Sequence, residues 1–149
     1  MTLNGSLRSV LRFPLIHPPL LAALAACGHG GKVLLADANY SSATNAHPDA
    51  MVVYLNLRPG LLTVDQVLEP LLAAVPVEAA DVMTPGDGTE PEAFARYREL
   101  LGPAVPLRPL ERFPFYAACR EPDLAVCVAT GDDRLYANLL LTIGFVAPA

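Results

Sequence analysis

Apolar residues along the chain gather in two kinds of block. Some are short and continuous, such as Val33-Leu34-Leu35-Ala36, Met51-Val52-Val53-Tyr54-Leu55 and Leu124-Ala125-Val126-Cys127-Val128-Ala129-Thr130. Runs of this length suit buried strands rather than helices. They predict strands near 32–36, 51–55, 77–83 and 124–130, and a closing strand over 139–146. Other blocks carry helix punctuation. Pro18 and Pro19 suit a first helical turn, where missing N–H groups cost little, and Gly28 suits its end, predicting a helix over 18–27. Thr63 and Gln66 form a capping-box pattern that opens a helix to about Ala74, with Pro70 predicting a kink or an early end. Thr89 and Glu92 repeat that pattern, with Pro91 in the first turn, for a helix that stops at Gly102-Pro103. A short helix is predicted over 113–120, and turns at Gly86-Asp87-Gly88 and Gly131-Asp132-Asp133. Helices alternating with strands give an α/β layered domain. No internal repeat, linker or low-complexity segment interrupts it, so residues 1–149 read as one domain, with 1–14 a mixed lead-in suited to docking on a neighbour.

Composition adds an expectation about assembly. Hydrophobic residues make up 53% of the 149 and charged residues 17%, against about 25% charged in an average globular chain. A small domain this poor in charge is expected to bury surface against copies of itself. The formal net charge is −5, and no lysine or arginine cluster or basic amphipathic helix marks nucleic acid or a membrane surface as partner. No run reaches the ~18 apolar residues of a spanning helix. Arg8 and Arg12 ahead of Leu20–Cys27 resemble a secretory signal, and Leu24-Ala25-Ala26-Cys27 a lipoprotein box. Pro18 and Pro19 interrupt that segment, which reads better as an amphipathic first helix. Cys27, Cys119 and Cys127 are odd in number and lack CxxC spacing, which predicts reduced thiols in a cytoplasmic protein rather than a disulfide framework or a zinc site.

The candidate chemistry concentrates in Cys27–Asn39, CGHGGKVLLADAN. His29 lies just past a predicted helix C-terminus, whose partial negative charge favours imidazolium. That suits a general acid, and equally a histidine that caps a helix carbonyl. Asp37 falls at the carboxyl end of the predicted strand, where open α/β sheets place ligands. A turn and a short strand are expected to bring Asp37 and His29 to one pocket edge, unless Asp37 only caps a loop. The small, polar stretch Asn39–Pro48 is a candidate pocket rim. Arg112 can hold oxygens in the fixed geometry of its guanidinium, or pair with Glu111 or Asp123 at the surface. Tyr136 and Asn138 follow a turn and are either site residues or ordinary turn residues. His17 and His47 fit no metal-ligand spacing with His29, and Gly28–Gly31 match no phosphate-loop pattern, so no metal is expected.

GHG followed by a short apolar strand and DAN closely resembles the motif of the RbsD/FucU sugar-anomer isomerases, the fucose mutarotases and ribose pyranases. Glu111-Arg112-Phe113-Pro114-Phe115-Tyr116 and Tyr136-Ala137-Asn138 continue the resemblance, in order, from about Ile16 to Val146. It implies a three-layer fold, a central mixed sheet flanked by helices, and a cofactor-independent isomerase that interconverts the anomers of a monosaccharide. It implies His29 as proton donor, with Asp37, Arg112, Tyr136, Ala137 and Asn138 binding the sugar. Asp37 and Tyr136 both remain candidates for the second proton carrier. It also implies a ring-like homo-oligomer, commonly a decamer, with pockets near subunit contacts. The arginine at 112 resembles the fucose branch, where the ribose pyranases differ. A ribose pyranase, or a non-catalytic sugar-binding or transport-accessory protein, are the alternatives. The chain departs from the family after Asp37-Ala38, where an aromatic residue followed by proline is common and this chain has Asn39-Tyr40-Ser41.

Overall fold

The computed structural model describes residues 9–149. Part of the predicted lead-in, residues 1–8, lies outside the described residues, and 9–14 are exposed and carry no helix or strand. Four helices and six strands follow in the order α1 (Pro18–Cys27), β1 (Lys32–Ala36), β2 (Met51–Leu55), α2 (Val64–Ala74), β3 (Val77–Met83), α3 (Phe94–Leu101), β4 (Leu107–Leu110), α4 (Arg112–Cys119), β5 (Leu124–Thr130) and β6 (Leu139–Ile143). The strands form one mixed sheet in the order β2-β5-β1-β6-β3-β4, so the α/β class and the mixed sheet are as expected. The three pairings β1–β5, β2–β5 and β3–β4 are parallel, and β6 runs antiparallel to both β1 and β3. Only β6 therefore points the other way, and one edge of the sheet collects the carboxyl ends of β1 and β3 together with the amino end of β6.

The sheet's two faces bury separate cores. Val33 and Leu35 of β1 pack with Leu20 and Leu24 of α1, Val67, Leu68 and Leu71 of α2, and Tyr97 of α3. Leu34 and Ala36, alternating to the opposite face, pack with Phe115 and Cys119 of α4. Strands covered on both faces read as continuous apolar runs, which is why β1 and β5 are so plain in the sequence.

Three local expectations need correction, and one strand has no counterpart in the sequence reading. Pro70 does not bring α2 to an early end: the helix continues to Ala74. Its missing N–H leaves unpaired the carbonyl of Gln66, an exposed residue, where water can replace the lost bond, while Val64, Val67, Leu68 and Leu71 hold the helix to the core. The Thr89–Glu92 capping box does not form. Thr89 instead donates from its N–H and hydroxyl to Asp87 Oδ1, at 3.0 and 2.7 Å, and α3 starts at Phe94 without a side-chain cap. The unpredicted strand is β4, whose Pro109 hides it in the sequence and is tolerated at the sheet edge. Strand β6 stops at Ile143, leaving Phe145 and Val146 exposed.

Candidate active site

The turn after β1 is built around Asp37, which is 6% exposed. Its carboxylate accepts from two backbone N–H groups, Asn39 at 3.0 Å on Oδ1 and Ala137 at 3.3 Å on Oδ2. Its own N–H donates to Oδ1 of Asn138, also buried, at 2.7 Å. The two segments Asp37–Asn39 and Ala137–Asn138, a hundred residues apart, are thus laced to each other. Burial pushes the Asp37 carboxyl above its ordinary range; the N–H groups of Asn39 and Ala137 oppose that shift and offset only part of it, and the negative charge of Asp132 adds to it. A carboxylate so placed is a better proton acceptor than a solvated aspartate.

The segment 131–138 is held from behind. Tyr97, fully buried, donates its hydroxyl hydrogen to the Ala137 carbonyl at 2.5 Å. Asp132, also fully buried, accepts from Val64 N–H at 2.8 Å and from Arg134 Nη2 at 2.7 Å, and Arg134 reaches on to Asp65 at 2.6 Å. Burial disfavours the Asp132 carboxylate, but Arg134 and the N–H groups outweigh it and hold the acid below its ordinary range. Gly131 sits where a Cβ would meet the Leu61 carbonyl oxygen at 1.9 Å, so only glycine fits there. Tyr136 takes φ = 55°, an uncommon conformation for a bulky residue and a form of local strain that clusters at functional sites.

Arg112 occupies the first position of α4, at the helix end whose partial positive charge disfavours a cation. Its Nε donates to the Tyr116 hydroxyl at 3.1 Å, which holds the guanidinium's proton more firmly, and the group lies 5.5 Å from the ring centres of both Phe113 and Tyr116. The alternative surface pairing with Glu111 or Asp123 is not formed among the described residues; Asp123 pairs with Lys32 at 3.3 Å. Asp37, Arg112, Tyr136 and Asn138 together line a cleft of about 170 Å³. That is below the roughly 300–1,000 Å³ of drug-sized sites and suits a small ligand. Asn39, Tyr40, Met83, Tyr116 and Leu135 complete its wall. Of the Asn39–Pro48 loop expected as the rim, Asn39 and Tyr40 line the cleft, whereas 41–48 do not. Met83 and Leu135 carried no signal in the sequence.

His29 is not in this cleft. The Gly28 turn ends α1 as expected, with φ = 74°, but His29 precedes β1 whereas Asp37 follows it. Five extended residues separate the two by roughly 17 Å at about 3.3 Å per residue, so the expectation that both share one pocket edge within the chain is corrected. His29 stands at the opposite edge of the sheet. There its Nε2 lies 3.1 Å from Glu78 Oε2 of β3, and its ring centre 5.0 Å from that of Phe145. His17 caps α1, accepting on Nδ1 from Leu20 N–H at 3.3 Å, and His47 accepts from Asp49 N–H at 3.2 Å. No cluster of three potential metal ligands occurs among the described residues. The three cysteines are free and burial raises each thiol, Cys119 to about 12. No described helix is long and apolar enough to cross a membrane.

A mixed sheet with a small, carboxylate-floored cleft at the strand ends defines an α/β protein with a polar small-molecule site. Comparison with known proteins places the fold in a family: the sequence model of the RbsD / FucU transport protein family matches residues 11–146, and the chain belongs to that family. Human fucose mutarotase is 34% identical, over 89% of this chain and 91% of its own length. The crystal structure of the fucose mutarotase in complex with L-fucose from Streptococcus pneumoniae superposes with a TM-score of 0.74 at 28% identity, covering 89% of this chain and 95% of that one. Bacillus subtilis RbsD complexed with D-ribose shares the fold, with a TM-score of 0.77 at 22% identity over 93% of this chain and 100% of its own.

Proposed function

We propose that this chain is a sugar mutarotase, a cofactor-independent isomerase that interconverts the anomers of L-fucose or a related monosaccharide. The observation that carries the reading is the Asp37–Ala137–Asn138 lacing beside Arg112, on a chain more than 30% identical to curated fucose mutarotases. Anomer exchange needs a proton delivered to the ring oxygen and one taken from the anomeric hydroxyl. The carbon–oxygen bond then breaks to the open aldehyde, which re-closes on either face. Spontaneous opening already occurs, so acid–base help of about 10²–10⁴-fold is enough. Arg112 and Asn138 hold hydroxyls, and the Ala137 N–H keeps Asp37 in place. Asp37, raised by burial, is the better placed of the two candidates for the second proton carrier. His29 supplies the acid.

Because His29 and the cleft stand at opposite edges of one sheet, the working site is composed between copies, His29 of one against the cleft of another. Exposed apolar residues at both edges support such contacts: Phe145 and Val146 beside His29, Phe113 and Leu135 beside the cleft. The low charge content supports a homo-oligomer, and the family resemblance a ring such as a decamer. Anomer-exchange NMR on L-fucose, galactose and ribose tests the reading. Acceleration of fucose over ribose is expected; exchange of ribose alone would place the chain with the pyranases, and no exchange of any sugar would leave a binding protein.

A further inference from the structure

We propose that Glu78 is a positioning residue for His29, accepting a hydrogen bond from Nε2–H and so dedicating Nδ1 to proton transfer with the sugar. The proposal rests on the reading of His29 as the proton donor. Residue 78 is the second of β3 and residue 29 follows α1, yet Nε2 and Oε2 lie 3.1 Å apart. Nδ1 makes no hydrogen bond among the described residues.

The backbone beneath the pair is strapped. Gly30 N–H donates to the Ile143 carbonyl at 2.8 Å, Ile143 N–H to Gly31 at 2.9 Å, and Gly144 N–H to Pro76 at 2.9 Å. The His29 turn, the end of β6 and the approach to β3 therefore form one fixed platform, from which the two side chains meet. The Phe145 ring packs on the imidazole at a 53° tilt. The contact is about half exposed, 53% for His29 and 46% for Glu78, and exposed ion pairs add little to fold stability. What the contact does supply is orientation. An unpartnered imidazole turns freely and offers either nitrogen; a carboxylate on one nitrogen selects the tautomer and the ring plane. With Nε2–H held, Nδ1–H passes its proton to the ring oxygen as the carbon–oxygen bond breaks. The imidazolium becomes the neutral Nε2–H tautomer and recovers the proton on re-closure.

The test compares Glu78→Ala, Glu78→Gln and His29→Gln in the assembled protein. Anomer exchange gives kcat and KM, and nitrogen NMR of 15N-histidine-labelled protein gives the His29 tautomer. Neutral His29 in the wild type is expected as Nε2–H, and as a mixture in Glu78→Ala. That variant should lose about 10–100-fold in kcat with KM within about threefold. Glu78→Gln keeps a carbonyl acceptor at the same reach and should recover most of the loss, and it decides the matter if the alanine variant does not assemble. An unchanged tautomer with kcat within about twofold in Glu78→Ala, beside an inactive His29→Gln, overturns the role of Glu78 alone. A folded Glu78→Gln chain as inactive as His29→Gln also overturns it, since orientation would then not be what Glu78 contributes. Exchange retained in His29→Gln overturns both the proposal and the assignment of His29.

Discussion

The two edges of the sheet are made differently. At the carboxyl ends of β1 and β3, Asp37 is 6% exposed and both its oxygens accept backbone N–H groups, while Tyr97, Asp132 and Arg134 brace the opposing segment from behind. At the other edge, His29 is half exposed and meets Glu78 and the ring of Phe145. The first edge is braced from within the chain; the second presents a half-exposed imidazole on a strapped backbone. Under the proposed function the difference has a purpose: a cleft that recognises hydroxyls needs fixed partners, whereas an acid offered to another copy's cleft has to stay accessible.

The sharpest way to break this comparison is to disable one edge at a time. His29→Gln should drop catalysed exchange toward background, a loss of about 10²–10⁴-fold, while sugar binding measured by calorimetry stays within about tenfold, or roughly 1.4 kcal/mol. Asp37→Asn should be inactive through the other edge. Refolding the two inactive chains together should then restore activity, because roughly a quarter of randomly assembled sites pair an intact His29 with an intact cleft in a symmetric ring. No recovery on mixing would mean that both groups serve a site within one chain.

A second prediction concerns acidity. Burial raises the Asp37 carboxyl, so as pH falls the carboxylate is protonated sooner than an ordinary aspartate would be. Exchange should fall on acidification at a pH above the usual carboxylate range, and the charge-dependent grip on the sugar with it. Asp37→Asn should weaken sugar binding by about tenfold and, although it is inactive in exchange, abolish the acid limb of sugar binding measured by calorimetry. An acid limb retained in the asparagine variant would assign it to another group.

The mildest expected effect is at the rim. Arg112→His should leave exchange measurable but lower the preference for fucose over ribose by several-fold, since one charged contact at an exposed rim is replaced by a smaller one. An unchanged preference would make Arg112 an ordinary surface arginine braced by Tyr116.

The sequence foretold the first edge better than the second. β1 and β5 were legible because strands buried on both faces are continuous apolar runs, and Gly28, Thr63 and Gln66 punctuate as local rules demand. Asp37 was legible from its place after a strand, and Arg112, Tyr136 and Asn138 from motifs. Thr89 misled because its partner, Asp87, is two residues away and competes with the helix for the same hydroxyl and N–H. Glu78 gave no signal, being a single acid 49 positions from its partner, and only the pairing of β3 with β6 brings it to His29. The separation of His29 from Asp37 follows from strand length alone, but motif spacing in a sequence says nothing of which copy completes a site.

Strand β6 sets a limit on how this architecture can be altered. It leaves the cleft at Asn138 and arrives five residues later at the platform under His29, and it is the only strand in the sheet that runs against its neighbours. Loops elsewhere can lengthen or shrink with local consequences. A single residue inserted into or removed from β6 would turn Leu139, Leu141 and Ile143 out of one core and shift the cleft relative to the platform at once. The cleft and the histidine platform are therefore not modular: a designer who transplants the cleft must carry β6 with it at fixed length, and inherits the histidine edge whether or not it is wanted.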